Sequence, residues 1–543
     1  MFNLSNQPLI KMIFSESNES VKLTVFLTII SSLSSIGLIF IINVAAEHAA
    51  DTKTSVNLMY FALFIVAFIL YFFSKRISFV KSMSIVENIV KNIRIRISDK
   101  VRYANLESIE KLGLAQIQTR LSTDTLTVSN ASYIMISAVQ GVMMFFFGML
   151  YILYLSKTAF FLVLTAVIAG VVVYRFYNAV VVEQIDKSIS HDDTFFKSLL
   201  NIINGFNELK INRKKSDDVI KYHSKIVEEN EIIRNMTNEV FAKSSILIQV
   251  FAYLLLGCVV FVLPQFSDAH SEVVTKIVTV LIFMMSPMDM ITGAVPTYSR
   301  ANRSAYFLKE LEEEIDKMAD YSIYNEENNF DNFDTISLDN VYFHYKDENN
   351  KALFGVGPIS FKIKQGEMIF IRGGNGSGKS TIMKLFTRLY NLDEGSIRVD
   401  DKIVDDMNIK NYQNLFSMIL SDFHLFDRLY GVDNIDMNRV NLLLNKMGLS
   451  DKITYDNGRF SNINLSTGQR KRLALVMALM EDKPLYILDE WAADQDPEFR
   501  EYFYHTILPE LKAEGKTVVA VTHDEKYFDC ADHIIKISEG KVI

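Results

Sequence analysis

At 543 residues the chain is long enough for several domains, because one domain takes roughly 150 residues. Its net charge of -8 argues against a nucleic-acid-binding protein, whose surface is expected to be basic, and its two cysteines exclude a disulfide framework. The hydrophobic fraction of 49% is high for a soluble chain and predicts membrane-spanning segments.

Six apolar runs in the first half are long enough to cross ~30 Å of hydrocarbon as helices. They lie at 23–46, 56–73, 133–155, 159–177, 244–263 and 277–295. The first run is too long for the apolar core of a cleaved signal peptide, so we expect it to remain as an anchor. Only Ser156 to Thr158 separate the third run from the fourth, which predicts a helical hairpin.

Lysines and arginines are concentrated in two connections, at 75–120 and 187–234, whereas each of the others carries a single lysine. Positive charge marks the cytoplasmic side, so both basic connections and both termini are expected in the cytoplasm. Apolar residues recur at helical spacing through 77–97, which predicts that the second span continues into the cytoplasm as one helix. The turns at 112–114 and 203–206 are candidate contacts with a soluble domain.

Asp289 is an ionisable residue inside the sixth apolar run, two residues after Pro287. An ionisable group at membrane depth is by default a functional hypothesis. Either it lines a substrate path, or it is a partner for the backbone carbonyl that Pro287 leaves without a donor. The structural role is the preferred one at this point.

After an acidic stretch at 310–334, strand-like runs at 336–345 and 357–363 begin a soluble α/β domain. A third strand-like run, 367–372, leads into a segment that fits G-x-x-x-x-G-K-[ST], the phosphate-binding P-loop. Its residues are Gly373, Gly374, Asn375, Gly376, Ser377, Gly378, Lys379, Ser380 and Thr381. The glycines let backbone N–H groups point at the phosphates of a nucleotide, Lys379 reaches the β- and γ-phosphates, and Ser380 binds Mg²⁺.

Three further motifs follow the P-loop in order. The first is Leu465, Ser466, Thr467, Gly468 and Gln469, before a basic helix-like run. The second is an apolar strand ending in Asp489 and Glu490, and the third is His523 at the end of a strand over 518–522. Asp489 can hold Mg²⁺ with Ser380, Glu490 can orient or deprotonate the attacking water, and His523 can bond the γ-phosphate.

This ordered set resembles the ATP-binding-cassette (ABC) ATPases, and the six preceding spans resemble a half-size ABC exporter. Segments 373–379 and 488–500 look like those of the bacterial cyclic-peptide and siderophore exporters, a group that includes the pyoverdine, syringomycin and microcin exporters; 416–427 and 205–210 point the same way. The implied fold is an all-α six-helix transmembrane domain (1–310), an acidic linker (311–335) and an α/β P-loop ATPase domain (336–543).

The resemblance implies a homodimer in the bacterial inner membrane that couples ATP hydrolysis to export, with ATP and Mg²⁺ as cofactors. Each ATP would be held between the P-loop of one subunit and the 465–469 segment of the other. The stacking aromatic of the family maps onto Tyr345, the water-activating carboxylate onto Glu490, the D-loop aspartate onto Asp496 and the switch histidine onto His523. The expected substrate is peptide-like or siderophore-like.

One departure from the family lies in the loop that joins the Mg²⁺ site to the membrane domain, where Ser421 stands in place of glutamine. Asp422 is the neighbouring alternative, and the sequence leads us to expect that Asp422→Asn lowers ATPase activity more than Ser421→Ala. Two other functions share the scaffold, a lipid flippase or multidrug exporter and an ATP-switched membrane sensor without transport. Glu490 and His523 are both present, and a protein that only senses ATP would not need a catalytic base. Their presence favours a protein that hydrolyses ATP over a sensor.

Overall fold

The computed structural model describes residues 7–16, 20–50, 58–266, 271–318, 330, 332–346 and 351–543. The chain divides into two compact units, Met1–Arg102 with Leu112–Lys317, and Tyr103–Lys111 with Met318–Ile543. The domain boundaries given above at residues 310 and 336 remain predictions. Residues 319–329 and 331, within the expected acidic linker, lie outside the described residues.

The first part of the chain is entirely helical where it is described. Its α-helices are α1 (Pro8–Glu16), α2 (Ser20–Ala50), α3 (Leu58–Tyr103), α4 (Leu106–Leu112), α5 (Leu114–Thr119), α6 (Thr125–Leu155), α7 (Lys157–Asn204), α8 (Phe206–Ile211), α9 (Arg213–Gly257), α10 (Leu263–Phe266) and α11 (Ser271–Met318). The 46 residues of α3 rise about 70 Å, at ~1.5 Å each, which exceeds the ~30 Å hydrocarbon thickness. The predicted extension of the second span beyond the membrane is therefore present.

Five helical stretches are long and apolar enough to cross a membrane in the described part of the chain. They are Lys22–Ala49, Leu58–Tyr103, Leu114–Leu155, Arg213–Gln265 and Glu272–Lys317, and a shorter apolar stretch lies at Lys157–Val173. The first turns of α3 expose large apolar side chains, such as Leu58 and Phe61. Such a surface would be a liability in water but is what lipid requires.

Close packing between α6 and α11 depends on two glycines of α6. A Cβ on Gly148 would lie 2.8 Å from Sδ of Met284, and one on Gly141 would lie 3.0 Å from the carbonyl oxygen of Pro287. Small residues are the usual device for bringing membrane helices together, because lipid supplies no hydrophobic drive between them. The face of α11 that carries Met284 and Pro287 is therefore fixed against α6.

Where it is described, the second unit contains three sheets, the smallest of which is a two-stranded antiparallel sheet. Its strands are β1 (Thr335–Lys346), β2 (Ala352–Lys364), β3 (Met368–Gly373), β4 (Glu394–Val399), β5 (Lys402–Ile403), β6 (Phe416–Ile419), β7 (Tyr455–Asp456), β8 (Arg459–Phe460), β9 (Leu485–Asp489), β10 (Thr517–Val521), β11 (His533–Ser538) and β12 (Lys541–Val542). An antiparallel sheet has the order β2-β1-β4-β5, and a mostly parallel sheet has the order β12-β11-β3-β10-β9-β6. Strands β9 and β10 are buried along their whole length, which explains their unbroken apolar sequences.

The helices of this unit cover the parallel sheet. They are α12 (Lys379–Phe386), α13 (Ile409–Gln413), α14 (Met437–Lys446), α15 (Thr467–Glu481), α16 (Pro497–Tyr502) and α17 (Leu508–Ala513). Apolar clusters form on both sides of the sheet, one containing Phe370 and Leu488, the other Ile371 and Ile487. Because neighbouring residues of a strand enter opposite clusters, each strand is locked in register.

The carboxyl ends of three adjacent parallel strands meet at one edge. Val521 of β10 pairs with both Ile371 of β3 and Asp489 of β9. The residues that follow these strands are the P-loop, Glu490 and His523, so the topology brings together motifs that are far apart in sequence. Ligands in open α/β sheets bind at this edge.

Candidate nucleotide-binding site

The P-loop connects β3 to α12 in a conformation that requires glycine at two positions. A Cβ on Gly373 would lie 2.4 Å from the carbonyl oxygen of Ile537 and 2.7 Å from Oγ of Ser377. Gly378 has a φ of +98° immediately before the first residue of α12. The loop can therefore approach its neighbours closely and turn its backbone N–H groups inward, as a phosphate cradle requires.

Lys379 holds its ammonium group across this loop. The side chain is 6% exposed, and Nζ donates hydrogen bonds of 3.1 Å to the carbonyl oxygens of both Gly373 and Gly374. The nearest carboxylate oxygen, Oε1 of Glu490, is 3.9 Å away. A buried cation held mainly by carbonyl dipoles is placed to attract phosphate oxygens.

Other P-loop side chains also offer polar atoms. Oγ of Ser377 is buried without a hydrogen bond, and a buried hydroxyl in this state calls for a ligand. Asn375 and Gly376 form the exposed crest of the loop. Oγ1 of Thr381 lies 3.0 Å from the hydroxyl of Tyr345.

Ser380 and Asp489 form an oxygen-donor pair suited to Mg²⁺. Oγ of Ser380 donates a 3.0 Å hydrogen bond to Oδ2 of Asp489, which is 1% exposed. Oδ1 of Asp489 is buried without a hydrogen bond of normal geometry, although Ser421 lies near enough to lower the pKa of the carboxyl. Burial raises that pKa overall, and adjacent Glu490 adds to the rise. A carboxylate oxygen and a hydroxyl are hard donors, so the residues fit the ion.

Glu490 adopts a strained backbone conformation directly after β9. Its φ is +50°, in the left-handed region that non-glycine residues rarely occupy, and such strain is concentrated at functional sites. Its backbone N–H donates to the carbonyl oxygen of Val521 at 3.1 Å. Its Oε1 lies 3.2 Å from Nε2 of His523 and 3.9 Å from Nζ of Lys379. The carboxylate therefore lies between His523, the predicted switch histidine, and Lys379, the predicted phosphate-binding lysine.

Lys471 is a residue of this site that the sequence did not reveal. It is 4% exposed, and its Nζ donates a 2.6 Å hydrogen bond to the carbonyl oxygen of Glu490 and pairs with Asp494 at 2.7 Å. Its own carbonyl oxygen accepts a 2.8 Å bond from Nε1 of Trp491. Lys471 belongs to a run of basic residues at the start of a helix, and in the sequence such residues look like solvent-exposed charges. The structure shows that it fixes the turn carrying Glu490.

Tyr345 stands beside the P-loop at the end of β1. Its ring lies 5.0 Å from that of Phe343 and is stacked at 6.5 Å on that of Phe354. With its hydroxyl fixed on Thr381, the half-buried ring has one orientation. This placement is compatible with the adenine-stacking role that the resemblance implies, which remains a prediction.

The segment Tyr103–Lys111 packs within the second unit and contacts this aromatic group. Oε1 of Glu110 pairs with Nζ of Lys384 at 2.8 Å, and its Oε2 accepts a 2.5 Å hydrogen bond from the hydroxyl of Tyr390. The ring of Tyr390 is 6.0 Å from that of Tyr345. Burial, followed by the bond to Glu110, raises the pKa of Tyr390. Sequence reasoning missed Glu110, which has no motif of its own, and its candidate contacts at 112–114 and 203–206 stay predictions.

The 465–469 segment forms the start of α15. Ser466 caps the helix by accepting from the N–H of Gln469, whose side chain accepts from the N–H of Ser466 in return. A Cβ on Gly468 would lie 2.7 Å from the carbonyl oxygen of Asp494. Ser466 and Thr467 are exposed, while Leu465, Gly468 and Gln469 are half-buried. Across the described residues, no hydrogen bond joins this segment to the P-loop.

Asp496 and the start of α15 form one hydrogen-bonded assembly. Nε2 of Gln495 donates to the carbonyl oxygen of Gly468 at 3.1 Å, and Arg472 binds both Oε1 of Gln495, at 2.7 Å, and the carboxylate of Asp496. Asp496 also caps α16, accepting a 2.9 Å bond from the N–H of Phe499, and this bond is the main reason that its pKa is lowered. The predicted signature and D-loop residues are thus mechanically linked.

Ser421 and Asp422 differ in their relation to the Mg²⁺ site. Ser421 lies near enough to Asp489 to lower the pKa of its carboxyl against the effect of burial. Asp422 is exposed in the turn after β6. The Ser421 side chain is exposed as well, and its proximity to Asp489 makes it our preferred residue for sensing the Mg²⁺ site, which stays a prediction.

The sequence matches known proteins over both halves of the chain. A sequence profile described as ABC transporter matches residues 356–493. The chain is 33% identical to the ATP-binding protein SyrD of Pseudomonas syringae pv. syringae over 469 residues, which are 84% of this chain and 82% of SyrD. It is 25% identical to the ATP-dependent lipid A-core flippase of Haemophilus ducreyi over 497 residues, 84% of this chain and 80% of the flippase.

The fold also matches a solved structure, described as a bacterial Atm1-family ABC exporter with ATP bound. The TM-score is 0.78 over 96% of this chain and 95% of the other, at 16% sequence identity. At this identity the likeness concerns the fold alone. It confirms the predicted fold class, in which an all-α transmembrane domain is fused to an α/β P-loop domain.

Proposed function

The chain belongs to the ABC transporter family, and from this premise we propose that it is a homodimeric half-transporter exporting a peptide-like or siderophore-like substrate across the bacterial inner membrane. As a multi-pass membrane ATPase it binds ATP and couples ATPase activity to transport. The observation that carries the proposal is the convergence of Lys379, Asp489, Glu490 and His523 at one sheet edge, in a chain whose other half is apolar helices.

We assign each of these residues a task in ATP hydrolysis. The P-loop N–H groups and Lys379 hold the β- and γ-phosphates. Mg²⁺ held by Ser380 and Asp489 would neutralise part of the phosphate charge. Glu490 accepts a proton from the water whose oxygen attacks the γ-phosphorus, while the bond to the bridging oxygen breaks to give ADP and phosphate. His523 forms a hydrogen bond with the γ-phosphate and loses it when the phosphate leaves. Its Nε2 lies 3.2 Å from Oε1 of Glu490.

A second copy would complete each nucleotide site. Ser466 and Thr467 begin a 15-residue helix with their side chains exposed, and the described part of the chain shows no hydrogen bond between them and the P-loop. An exposed helix N-terminus carries a positive dipole that suits phosphate. We therefore assign Leu465–Gln469 to the ATP held by Lys379 of the partner copy. Asp496, linked to the same helix through Arg472, would move with it.

Glu110 offers a route between nucleotide and membrane half. Closure around ATP would displace the rings of Tyr345 and Tyr390. The 2.5 Å hydrogen bond from the Tyr390 hydroxyl would transmit this displacement to Glu110. The chain continues from this segment into α5 and α6 of the helical unit. In this scheme ATP binding turns the transport path outward and hydrolysis resets it.

The substrate class rests on sequence resemblance. Segments 373–379 and 488–500 resemble those of cyclic-peptide and siderophore exporters, and the match to SyrD spans most of both chains. A second candidate is lipid transport, supported by the lipid A-core flippases of Haemophilus ducreyi, at 25% identity, and of Vibrio cholerae, at 29% over 57% of this chain and 55% of that flippase. A multidrug pump could use the same scaffold.

ATPase stimulation separates these candidates. The full chain in nanodiscs is mixed with a panel of cyclic peptides, siderophores and lipids, and Glu490→Gln gives the background. We expect peptides or siderophores to raise the rate while lipids leave it unchanged. Stimulation by lipids alone would favour the flippase, and no stimulation by any compound would contradict the proposed function.

A further inference from the structure

One face of α11 carries charge at membrane depth. Asp289 lies within the 277–295 apolar run, and Arg300 follows eleven residues later. At 100° and ~1.5 Å per residue, the two lie about 20° apart around the helix and roughly 16 Å apart along it. Both are exposed, whereas Pro287, Ala294 and Ala301 on the other side are buried. The charged face therefore points away from the other helices of its own unit.

The structure does not support the role that the sequence suggested for Asp289 beside Pro287. An ionised carboxylate accepts hydrogen bonds only, so it cannot satisfy the carbonyl that Pro287 leaves free. Thr292 donates to the backbone oxygen of Asp289, at 3.2 Å, which is not the carbonyl that Pro287 leaves free. Within the described ranges, the Asp289 carboxylate has neither a hydrogen bond nor an ion pair.

An exposed carboxylate in a spanning helix is not compatible with a lipid-facing surface. Charged groups at this depth face a water-filled path or another protein surface. A second copy related by twofold symmetry would present the same residue, because an isologous contact repeats each patch on both sides. Two Asp289 carboxylates facing one space repel each other unless a cation lies between them.

An apolar cavity of about 290 Å³ lies beside α11, within one helical turn of Asp289, although Asp289 is not among its lining residues. Six of its lining residues are Phe145, Val167, Phe251, Met288, Thr292 and Val295. Thr292 is three residues after Asp289, so the cavity lining reaches the turn next to the carboxylate. A ligand at this place meets negative charge beside an apolar recess.

We infer that Asp289 binds the ammonium group of the exported substrate, and that the adjoining cavity takes an apolar group of the same molecule. This inference rests on the proposed function and narrows its substrate class to amphipathic compounds that bear an amine, such as peptides with a lysine or a free amino terminus. A carboxylate and an ammonium group form a charge-assisted hydrogen bond that is strong where water is scarce.

Two fluorescent peptides that differ in one charge test the inference. The first is dansyl-Phe-Phe-Lys amide, and the second is the same peptide with the lysine amine acetylated. Their binding is measured on the full-length chain in nanodiscs. Wild type is expected to bind the amine form at least about tenfold more tightly. Asp289→Asn should remove that preference, Asp289→Glu should retain it, and Glu272→Gln, which changes another carboxylate of α11, should leave both affinities unchanged.

Thiol labelling tests whether the face is open to water. In a chain whose Cys258 and Cys530 are replaced by alanine, Asp289→Cys should react with a cationic methanethiosulfonate reagent, and the amine peptide should slow the reaction. Complete protection would mean that a second copy covers this face and would overturn the inference. Equal binding of the two peptides by wild type, or an unchanged preference in Asp289→Asn, would also overturn it. If other compounds still stimulate the ATPase, the proposed function survives that result.

Discussion

Nε2 of His523 lies 3.2 Å from Oε1 of Glu490, and the two residues follow neighbouring parallel strands of the same sheet. The same carboxylate oxygen is 3.9 Å from Nζ of Lys379. One carboxylate thus lies between a histidine and a lysine, both of which we predict to contact the γ-phosphate. The strained backbone of Glu490, held by Lys471, maintains this position.

Replacing Glu490 should abolish turnover while leaving nucleotide binding intact. Glutamine keeps the size of the side chain and loses the proton acceptor, so Glu490→Gln is expected to lower the ATPase rate by about 100-fold or more. Steady-state phosphate release from the purified protein in nanodiscs measures this. Glu514→Gln, which changes an exposed carboxylate beyond α17, is the control and should retain the wild-type rate. Equal rates in wild type and Glu490→Gln would show that Glu490 is not the base.

The loop after β6 should act through Ser421. Because Ser421 lies beside the Asp489 carboxylate, Ser421→Ala is expected to weaken Mg²⁺-dependent ATPase activity by ~10-fold, as loss of an outer-shell partner does. Asp422→Asn, at an exposed side chain, should stay within about twofold of wild type. ATPase rates over a Mg²⁺ titration measure both. The reverse order would restore the sequence-based expectation for Asp422.

Two inactivating changes placed on the same or different chains should show whether the site is shared. Lys379→Ala removes the phosphate-binding cation, and Ser466→Arg blocks the exposed start of α15. In a dimer carrying one change on each chain, a shared site predicts that one intact site remains. With both changes on one chain and a wild-type partner, none remains. ATP photolabelling of differently tagged pairs distinguishes the arrangements, and the opposite pattern would mean that each chain forms its site alone.

Glu110 should transmit substrate binding to the nucleotide site. Glu110→Gln weakens both the ion pair with Lys384 and the bond from Tyr390, and hydrogen bonds to charged groups contribute roughly 1.5–3 kcal/mol. We expect basal ATPase activity to persist and stimulation by substrate to be lost. Tyr390→Phe should show the same change in smaller measure. Glu107→Gln, whose partner is Lys111 on its own helix, serves as control. Full stimulation in Glu110→Gln would exclude this route.

Most of the nucleotide site was predictable because its motifs are local. The P-loop and the Asp-Glu pair each follow the end of a strand. Adjacent parallel strands end at the same edge of a sheet, so the strand assignments alone predict that these motifs meet. The apolar runs likewise predicted the spanning helices, since length and composition decide whether a helix can cross a bilayer.

Two features could not be predicted, because each depends on tertiary contacts between residues with no motif. Lys471 is buried beneath Glu490 although its sequence neighbours suggest a solvated helix face. Glu110 reaches Tyr390, 280 residues away. The sequence singled out Ser421 from its place in a family motif, and the structure adds its position beside Asp489. For Asp289, the apolar sequence revealed an unusual charge, but only the packing of α11 against α6 showed which way that charge faces.

ATP-driven accumulation in inside-out proteoliposomes tests the central claim most directly. In these vesicles the nucleotide-binding unit faces the bath, so an exporter moves its substrate inward. With the most strongly stimulating compound of the panel, the wild-type chain should accumulate substrate only when ATP and Mg²⁺ are added, and Glu490→Gln should not. Uptake that is the same with and without ATP, or the same in Glu490→Gln as in wild type, would contradict ATP-driven export.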